Sequence, residues 1–152
     1  MISLNQIGED GPSLLDWLQE FIDTDTLHNR GEEAPARFRR RAPIERKIAP
    51  SYTLFGQIDA GESGLPADLV NDKTAKLRAK RLVDDAELIP YYFQVHCPKD
   101  TKVATLIMQR IGQRGPYVFF QQNLVRAFRD AFPDHRLELE PFISGRGALT
   151  IE

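Results

Sequence analysis

The side chains that most often carry catalysis or bind metals are few and scattered in this chain. The three histidines, His28, His96 and His135, lie far apart in the sequence. His96 and Cys97 are neighbours, but successive residues of a strand point to opposite faces, so this pair cannot chelate one zinc ion. The residues therefore predict no catalytic group, no metal site and no cofactor, and Cys97 is interpreted as a buried, inert thiol.

One acidic stretch has part of the spacing of the PD-(D/E)xK nucleases. Pro133-Asp134 is followed by Glu138-Leu139-Glu140. The lysine of that motif is missing, because Glu140 stands where it is needed. A small nuclease or phosphate-handling enzyme is therefore the alternative to a binding function.

The best candidate for a binding site is the loop before a predicted helix. Gly112 and Gly115 let backbone approach a ligand closely, and Pro116 suits the first helical position. Backbone N–H groups at a helix N-terminus favour an anion, and Arg110 and Arg114 flank that terminus. The alternative is that the glycines only shape a tight turn and the arginines are solvated.

A second basic group could bind nucleic acid. Its members lie within eleven positions and are Arg37, Arg39, Arg40, Arg41, Arg46 and Lys47. Such a cluster can contact phosphates, and the interleaved Phe38 can stack on a base. The alternatives are a solvated face or an intramolecular partner for the acidic first segment, since residues 1–33 carry eight acidic residues and one basic residue.

The N-terminal segment predicts one amphipathic helix. Ser13 is a suitable N-cap, and the apolar positions from Leu14 to Ile22 form one wide stripe. The stripe indicates a helix docked on the domain. Because it lies near a terminus and contains the only tryptophan, Trp17, Leu18 and Phe21 are also candidates for binding a partner.

The most apolar stretch, from Leu88 to Ile143, predicts two strands, a helix and a third strand. Apolar and polar residues alternate from Ile89 to Cys97, Pro98-Lys99-Asp100-Thr101 has turn chemistry, and Val103 to Ile111 is a second apolar run. Helical spacing follows at Tyr117, Phe120, Leu124, Phe128 and Ala131. We expect one hairpin and one long helix to share a core.

These patterns predict an α+β fold. It combines an antiparallel, curved sheet of five to seven strands with one packed long helix and a separate N-terminal helix. Residues 1–36 are expected to form an acidic helix and linker, and residues 37–152 the α+β domain. Residues 74–82 alternate cationic and apolar side chains, so this strand should have a solvated outer face.

The length, composition and net charge of the chain exclude several classes of protein. The chain has 152 residues, 41% of them hydrophobic, and a net charge of −2, so no global basic field attracts nucleic acid. A single cysteine excludes an intramolecular disulfide framework and suits a reducing compartment. We expect no secretory signal, no membrane span and a cytoplasmic location. Ending on a predicted strand, the chain could be the front of a longer protein.

The chain also resembles the opening β-rich domain of longer uncharacterised bacterial proteins, some of which sit with mobile or phage-defence genes. The likeness spans Ile48 to Ile143. It rests on Gly56-Gln57-Ile58 with the glycines at 61 and 64, Ile89-Pro90-Tyr91-Tyr92-Phe93, Pro98, Gln109-Arg110-Ile111-Gly112, and Phe132 with Leu137. The resemblance implies a recognition module. Together with the absence of a catalytic motif, it predicts a non-enzymatic recognition or assembly module that binds a protein partner, itself or nucleic acid.

Overall fold

The fold is given by a computed structural model that describes residues 4–23, 28–29, 36–47, 52–141 and 146–151. At residues 28–29, 36–37 and 146–151 it describes the backbone but no side chains. Two helices and ten strands lie within these ranges. The helices are α1 (Leu14–Ile22) and α2 (Tyr117–Ala131). The strands are β1 (His28–Asn29), β2 (Ala36–Arg40), β3 (Glu45–Lys47), β4 (Thr53–Glu62), β5 (Ala67–Val70), β6 (Leu77–Arg81), β7 (Glu87–His96), β8 (Val103–Met108), β9 (Leu137–Pro141) and β10 (Arg146–Ile151).

Most of these strands form one antiparallel sheet. Seven follow one another in the order β1-β2-β4-β7-β8-β10-β9, and the three-residue β3 pairs with the first part of β4. Strands β5 and β6 form a separate two-stranded sheet. The predicted α+β class is confirmed, with its antiparallel sheet, its long helix and its N-terminal helix.

The two longest strands, β4 and β7, form the middle of the sheet. They pair along all ten residues, from Thr53 opposite His96 to Glu62 opposite Glu87. Strand β8 returns beside β7, which confirms the predicted hairpin, but it pairs only with the later half of β7. Pro90 lies in the earlier half of β7, which β8 does not pair with. Its missing N–H therefore removes no hydrogen bond to β8.

Alternation along β7 separates the core from the surface. Tyr91, Phe93 and Val95 are buried, whereas Tyr92 is exposed. The buried residues belong to one apolar cluster that includes the inward faces of both helices. Those helical residues are Leu14, Leu15, Leu18 and Ile22 of α1 and Phe120, Leu124 and Phe128 of α2. The predicted common core of hairpin and long helix is therefore present.

Aromatic rings connect α1 to α2. The Trp17 ring meets Phe128 edge-on, with 5.2 Å between centroids, and Phe21 lies 6.3 Å from Phe120. Pairs of this kind contribute about 0.5–1.5 kcal/mol beyond the area they bury. Helix α1 thus shares the core of the sheet, while the boundary placed at residue 36 stays a prediction.

The two helices begin differently. The Ser13 hydroxyl accepts a hydrogen bond from the Asp16 N–H at 3.1 Å, which confirms the predicted N-cap. Pro116 lies directly before Tyr117, the first residue of α2, so it is one position earlier than predicted. The difference is within the variation of helix ends, and Pro116 already has helical backbone angles (φ −85°, ψ −4°).

We expect Phe128→Ala to lower the free energy of unfolding by about 3–5 kcal/mol, because a fully buried aromatic side chain leaves a cavity. Urea denaturation measures the effect. The matched control is Val118→Ala on the same helix, where the side chain is 62% exposed. Similar midpoints for the two variants would contradict the architecture.

Candidate functional site

Carboxylates neutralise much of the predicted basic cluster. Asp59 forms ion pairs with Arg41, at 2.8 Å from Nη1 to Oδ1, and with Arg39, at 3.7 Å from Nε to Oδ2. Arg40 pairs with Asp23, with 2.8 Å between Nη1 and Oδ1. Asp23 follows α1 directly, so the acidic first segment does serve as an intramolecular partner for these arginines. The binding of phosphate by Arg39, Arg40 and Arg41 stays a prediction.

The aromatic residue within that cluster points into the core. Phe38 is fully buried, and its ring packs 5.3 Å from that of Phe120. The expectation that Phe38 stacks on a base is therefore wrong, because strand β2 turns this side chain into the core. The side chain of Arg37 lies outside the described residues.

The candidate partner-binding residues of α1 face the interior. Leu18 is fully buried, and Trp17 and Phe21 are half-buried against the core. Trp17 also stacks on Phe21 with 5.6 Å between centroids. Their packing gives these side chains a structural role, and a role in binding a partner stays a prediction.

The loop before α2 is a tight turn. We call residues 109–116 the helix-entry loop. Ile111 and Arg114 exchange two backbone hydrogen bonds, of 2.9 and 3.1 Å, across Gly112, whose φ is +60°. Gly112 is needed there because other residues rarely adopt this conformation. A Cβ on Gly115 would lie 2.9 Å from Cγ of Arg110, so Arg110 packs along the backbone of the loop.

The helix-entry loop separates two cavities. Gln113 and Gly115 line both of them, but Arg114 lines only one and Arg110 only the other. The structure therefore does not bring the two predicted anion-binding arginines into one cavity. In the cavity of Arg110, of about 340 Å³, burial raises the pKa of the Tyr117 hydroxyl.

The cavity that contains Arg114 holds a second arginine. We call it the base cavity; its volume is about 350 Å³. Arg81 enters it with a side chain that is only 13% exposed, and the Glu87 carboxylate bridges the two arginines. Glu87 Oε2 accepts from Arg81 at 2.9 Å, and Oε1 accepts from Arg114 at 3.2 Å.

Close backbone approach shapes the wall of the base cavity. An added Cβ at Gly61 of β4 would lie 1.6 Å from the carbonyl oxygen of Glu87. Only glycine allows the two strands to come so near, so Gly61 fixes Glu87 beside the cavity. The glycine at 61 belongs to the pattern on which the resemblance rests.

The connection between β4 and β7 contains the small sheet of β5 and β6. We call residues 65–83 the exposed hairpin. In its two strands every residue except Arg81 is exposed. Cross-strand pairing places Leu69 opposite Ala79. Large apolar residues of this hairpin are more than half exposed at Leu65, Leu69, Val70, Leu77, Leu82 and Val83.

The exposed hairpin has a defined turn. The Asn71 side chain accepts from the N–H groups of Lys73 at 3.0 Å and Thr74 at 2.9 Å, and its backbone pairs with Lys76 and Ala75. Asparagine favours such turns because its side chain mimics a backbone acceptor. The hairpin is therefore closed by a hydrogen-bonded turn, and its apolar residues face solvent.

Sequence reasoning predicted the solvated cationic strand and missed two features. The strand over 74–82 is found as β6, but the run Leu65 to Val70 gave no clear element, and it forms the partner strand β5. No role was predicted for Arg81, which enters the base cavity. The signal for the hairpin was the turn at Asn71-Asp72-Lys73 between two short apolar runs.

Clusters of metal-binding side chains are absent from the described parts of the chain. No group of three or more His, Cys, Asp or Glu side chains there could hold a metal ion. His96 Nδ1 lies 3.2 Å from the Thr53 hydroxyl, and Glu138 of the nuclease-like stretch pairs with Arg136 at 3.1 Å. Neither helix, within the ranges that the structure describes, has the length and apolar character to cross a bilayer.

Comparison of the chain with protein-family models, with curated proteins and with solved structures gave no match. The described geometry is therefore the basis for the function proposed below.

We expect Cys97 to react slowly in the native protein. The side chain is 3% exposed, and burial raises the pKa of the thiol, so little of the reactive thiolate forms. Labelling with a chromogenic disulfide at pH 8 should be slow before denaturation and fast after it. In a Val118→Cys variant the added exposed thiol should react immediately. Rapid native labelling of Cys97 would contradict the buried position.

We expect Asp16→Asn to destabilise the protein at neutral pH. A hydrogen bond from Ser13 and an ion pair with Arg46 lower the pKa of the Asp16 carboxyl. The stabilisation is complete above the ordinary aspartate pKa of about 4 and is lost as the pH falls through the lowered pKa. The difference in unfolding free energy between wild type and variant should therefore shrink in acid.

Urea denaturation between pH 7 and pH 2 measures that difference. Glu20→Gln is the matched control, because Glu20 is an exposed carboxylate on the same helix. A gap between wild type and Asp16→Asn that stays constant across the range would rule out the carboxylate as its source.

Proposed function

We propose that this chain is a recognition or assembly module that binds a protein partner through the exposed hairpin. The supporting observation is the set of leucine and valine side chains that this hairpin presents to solvent. Contiguous exposed apolar patches are uncommon on proteins that act alone and mark interaction surfaces.

The stability of small sheets supports the same proposal. A two-stranded hairpin is at best marginally stable in water unless a further strand or another element covers it. Strands β5 and β6 pair with each other and stay outside the main sheet. A bound partner would cover Leu69 and Leu77, each 52% exposed, and would supply the missing layer.

Charge indicates the chemistry of the partner. Residues 65–83 carry five basic and two acidic residues, a net charge of +3 in a chain whose total is −2. An acidic partner with an apolar contact surface fits this hairpin, since opposite charge speeds association over a distance and apolar contact on the face of Leu69 and Leu77 holds the complex. Nucleic acid fits less well, because residues 65–83 contain no aromatic side chain for stacking on bases.

The biological setting belongs to the proposal as well. The resemblance to the opening domains of longer bacterial proteins suggests a module that recognises its target in a defence context, while an effector activity lies elsewhere. No comparison bears on that resemblance, and the proposed partner binding does not depend on it.

The partner can be identified by site-specific photo-crosslinking in cells that produce the protein naturally. A photoreactive phenylalanine analogue replaces Leu69 in one sample and Val118 in another. Val118 is 62% exposed on α2 and serves as the control position. We expect a protein cross-linked from position 69 and absent from position 118.

Two double variants then separate the kinds of partner. Leu69→Ser/Leu77→Ser should weaken binding of the purified partner at least about tenfold, because the apolar contact is lost. Arg78→Ser/Lys80→Ser should mainly slow association and reduce its salt dependence. Because all four side chains are exposed, both variants should keep the unfolding free energy of wild type within about 0.5 kcal/mol.

The opposite pattern would reject a protein partner. If the cross-links from position 69 run to nucleic acid, and only the Arg78→Ser/Lys80→Ser variant loses binding, the hairpin recognises phosphates. If neither variant changes binding, the hairpin is not the contact surface.

A further inference from the structure

The base cavity lies where the exposed hairpin meets the main sheet. Leu65 and Arg81 come from the hairpin, Glu87 and Tyr91 from β7, and Arg114 from the helix-entry loop. Its volume of about 350 Å³ lies within the range of small-molecule sites. The cavity therefore has room for a ligand, and β4 and α2 also contribute to its wall.

Arg81 has unused capacity for hydrogen bonding inside this cavity. Its Nη1 donates to Glu87 at 2.9 Å, and its Nη2 makes only a long contact of 3.4 Å with the backbone carbonyl of Glu62. Its Nε is buried and has no hydrogen-bond partner among the described residues. A guanidinium has five N–H donors in a planar fork, and this geometry matches an oxyanion with two acceptor oxygens.

Glu87 occupies the position that such an oxyanion would take. Its two carboxylate oxygens contact Arg81 and Arg114 separately, as a bridging ligand would. The contact is easily exchanged, because the side chains of Glu87 and Arg114 are 51% and 66% exposed. The Glu87–Arg114 pair contributes little to stability at that exposure, and an entering oxyanion would replace Glu87 as the partner of Arg81, whose side chain is 13% exposed.

The remaining wall of the base cavity is largely apolar. It includes Ile89, Tyr91 and Phe119. Tyr91 is 3% exposed and belongs to the apolar core, and Ile89 and Phe119 pack against that core. A bare inorganic ion would leave the wall uncovered, whereas an organic anion would use both the arginines and the wall.

We propose that the base cavity binds a small organic oxyanion, a carboxylate or a phosphate ester. Its charged group replaces the Glu87 carboxylate between Arg81 and Arg114. Its apolar part covers Ile89, Tyr91 and Phe119. This site goes beyond the proposed binding of a partner and does not depend on it.

The test uses benzoate and phenyl phosphate as probes, with benzamide as the neutral analogue. Titration of the isotope-labelled full chain, followed by NMR, should show saturable shifts of the Gly115 amide and the Arg81 Nε–H for one or both anions. The stronger anion identifies the ligand as a carboxylate or a phosphate ester. Benzamide should produce neither shift.

Three variants assign the binding to these side chains. Arg81→Gln and Arg114→Gln should each weaken binding about tenfold, because a charge-assisted hydrogen bond is lost. Glu87→Gln should strengthen binding several-fold, because the competing carboxylate is gone. Arg78→Gln is the matched control on the same strand; its side chain is exposed, it does not line the cavity, and its affinity should equal that of wild type.

Three results would overturn the site. The first is that neither anion binds saturably to wild type or to Glu87→Gln. The second is that benzamide binds as well as benzoate does. The third is that Glu87→Gln binds the anions no more tightly than wild type. The Glu87 and Arg114 variants alter exposed side chains, so the test remains decisive if Arg81→Gln does not fold. Leu69→Ser/Leu77→Ser should keep the affinity for the probes, which separates this site from the proposed partner surface.

Discussion

Continuous backbone pairing between β4 and β7 is the constraint on which the described surfaces depend. The pairing continues to the last residue of β4, Glu62, and the first residue of β7, Glu87. The chain between these residues therefore leaves and re-enters the sheet at adjacent points, and it forms the separate hairpin of β5 and β6. Gly61 permits the close approach that keeps the ends together. Because of this constraint, the base cavity and the exposed hairpin lie at the same end of the molecule.

Charge pairing divides the basic residues of the chain into two groups. The arginines of β2 and its following turn form ion pairs with Asp23 and Asp59, so an external anion would compete with these carboxylates. On the exposed hairpin, Arg78 and Lys80 stay exposed, and the nearest cross-strand carboxylate is Asp68, opposite Lys80. Density of basic residues in the sequence is therefore a poor guide to free positive charge, since the folded chain decides which residues meet a carboxylate.

Periodic patterns of apolar residues in the sequence predicted the strands and helices in which they occur. The alternation around Phe93 and the helical spacing around Phe128 depend only on which face of an element is covered, and both interpretations are confirmed. The burial of Phe38 depends on the pairing of β2 with β4, which places Phe38 opposite Ala60. That contact joins residues far apart in the chain, so the neighbouring arginines suggested an exposed aromatic ring that is in fact buried.

The exposed hairpin and Arg81 were difficult to predict for a related reason. Apolar and polar residues alternate along a strand only when one of its faces is buried. Both faces of β5 are exposed, so Leu65 to Val70 shows no such alternation. Arg81 follows Arg78 and Lys80 in one basic run, but it lies on the other face of β6 and at the base of the hairpin. The base cavity is lined by residues of β4, the exposed hairpin, β7, the helix-entry loop and α2, and no single stretch of sequence contains it.

The position of Pro90 has a consequence for how copies of this protein can aggregate. Both the N–H and the C=O of Tyr92 face away from β4, so Pro90, two residues earlier, faces the same way. That edge of β7 is not paired by β8. An incoming strand from another molecule would find no donor at Pro90, so fibril-like growth by strand addition is interrupted on this side of the sheet.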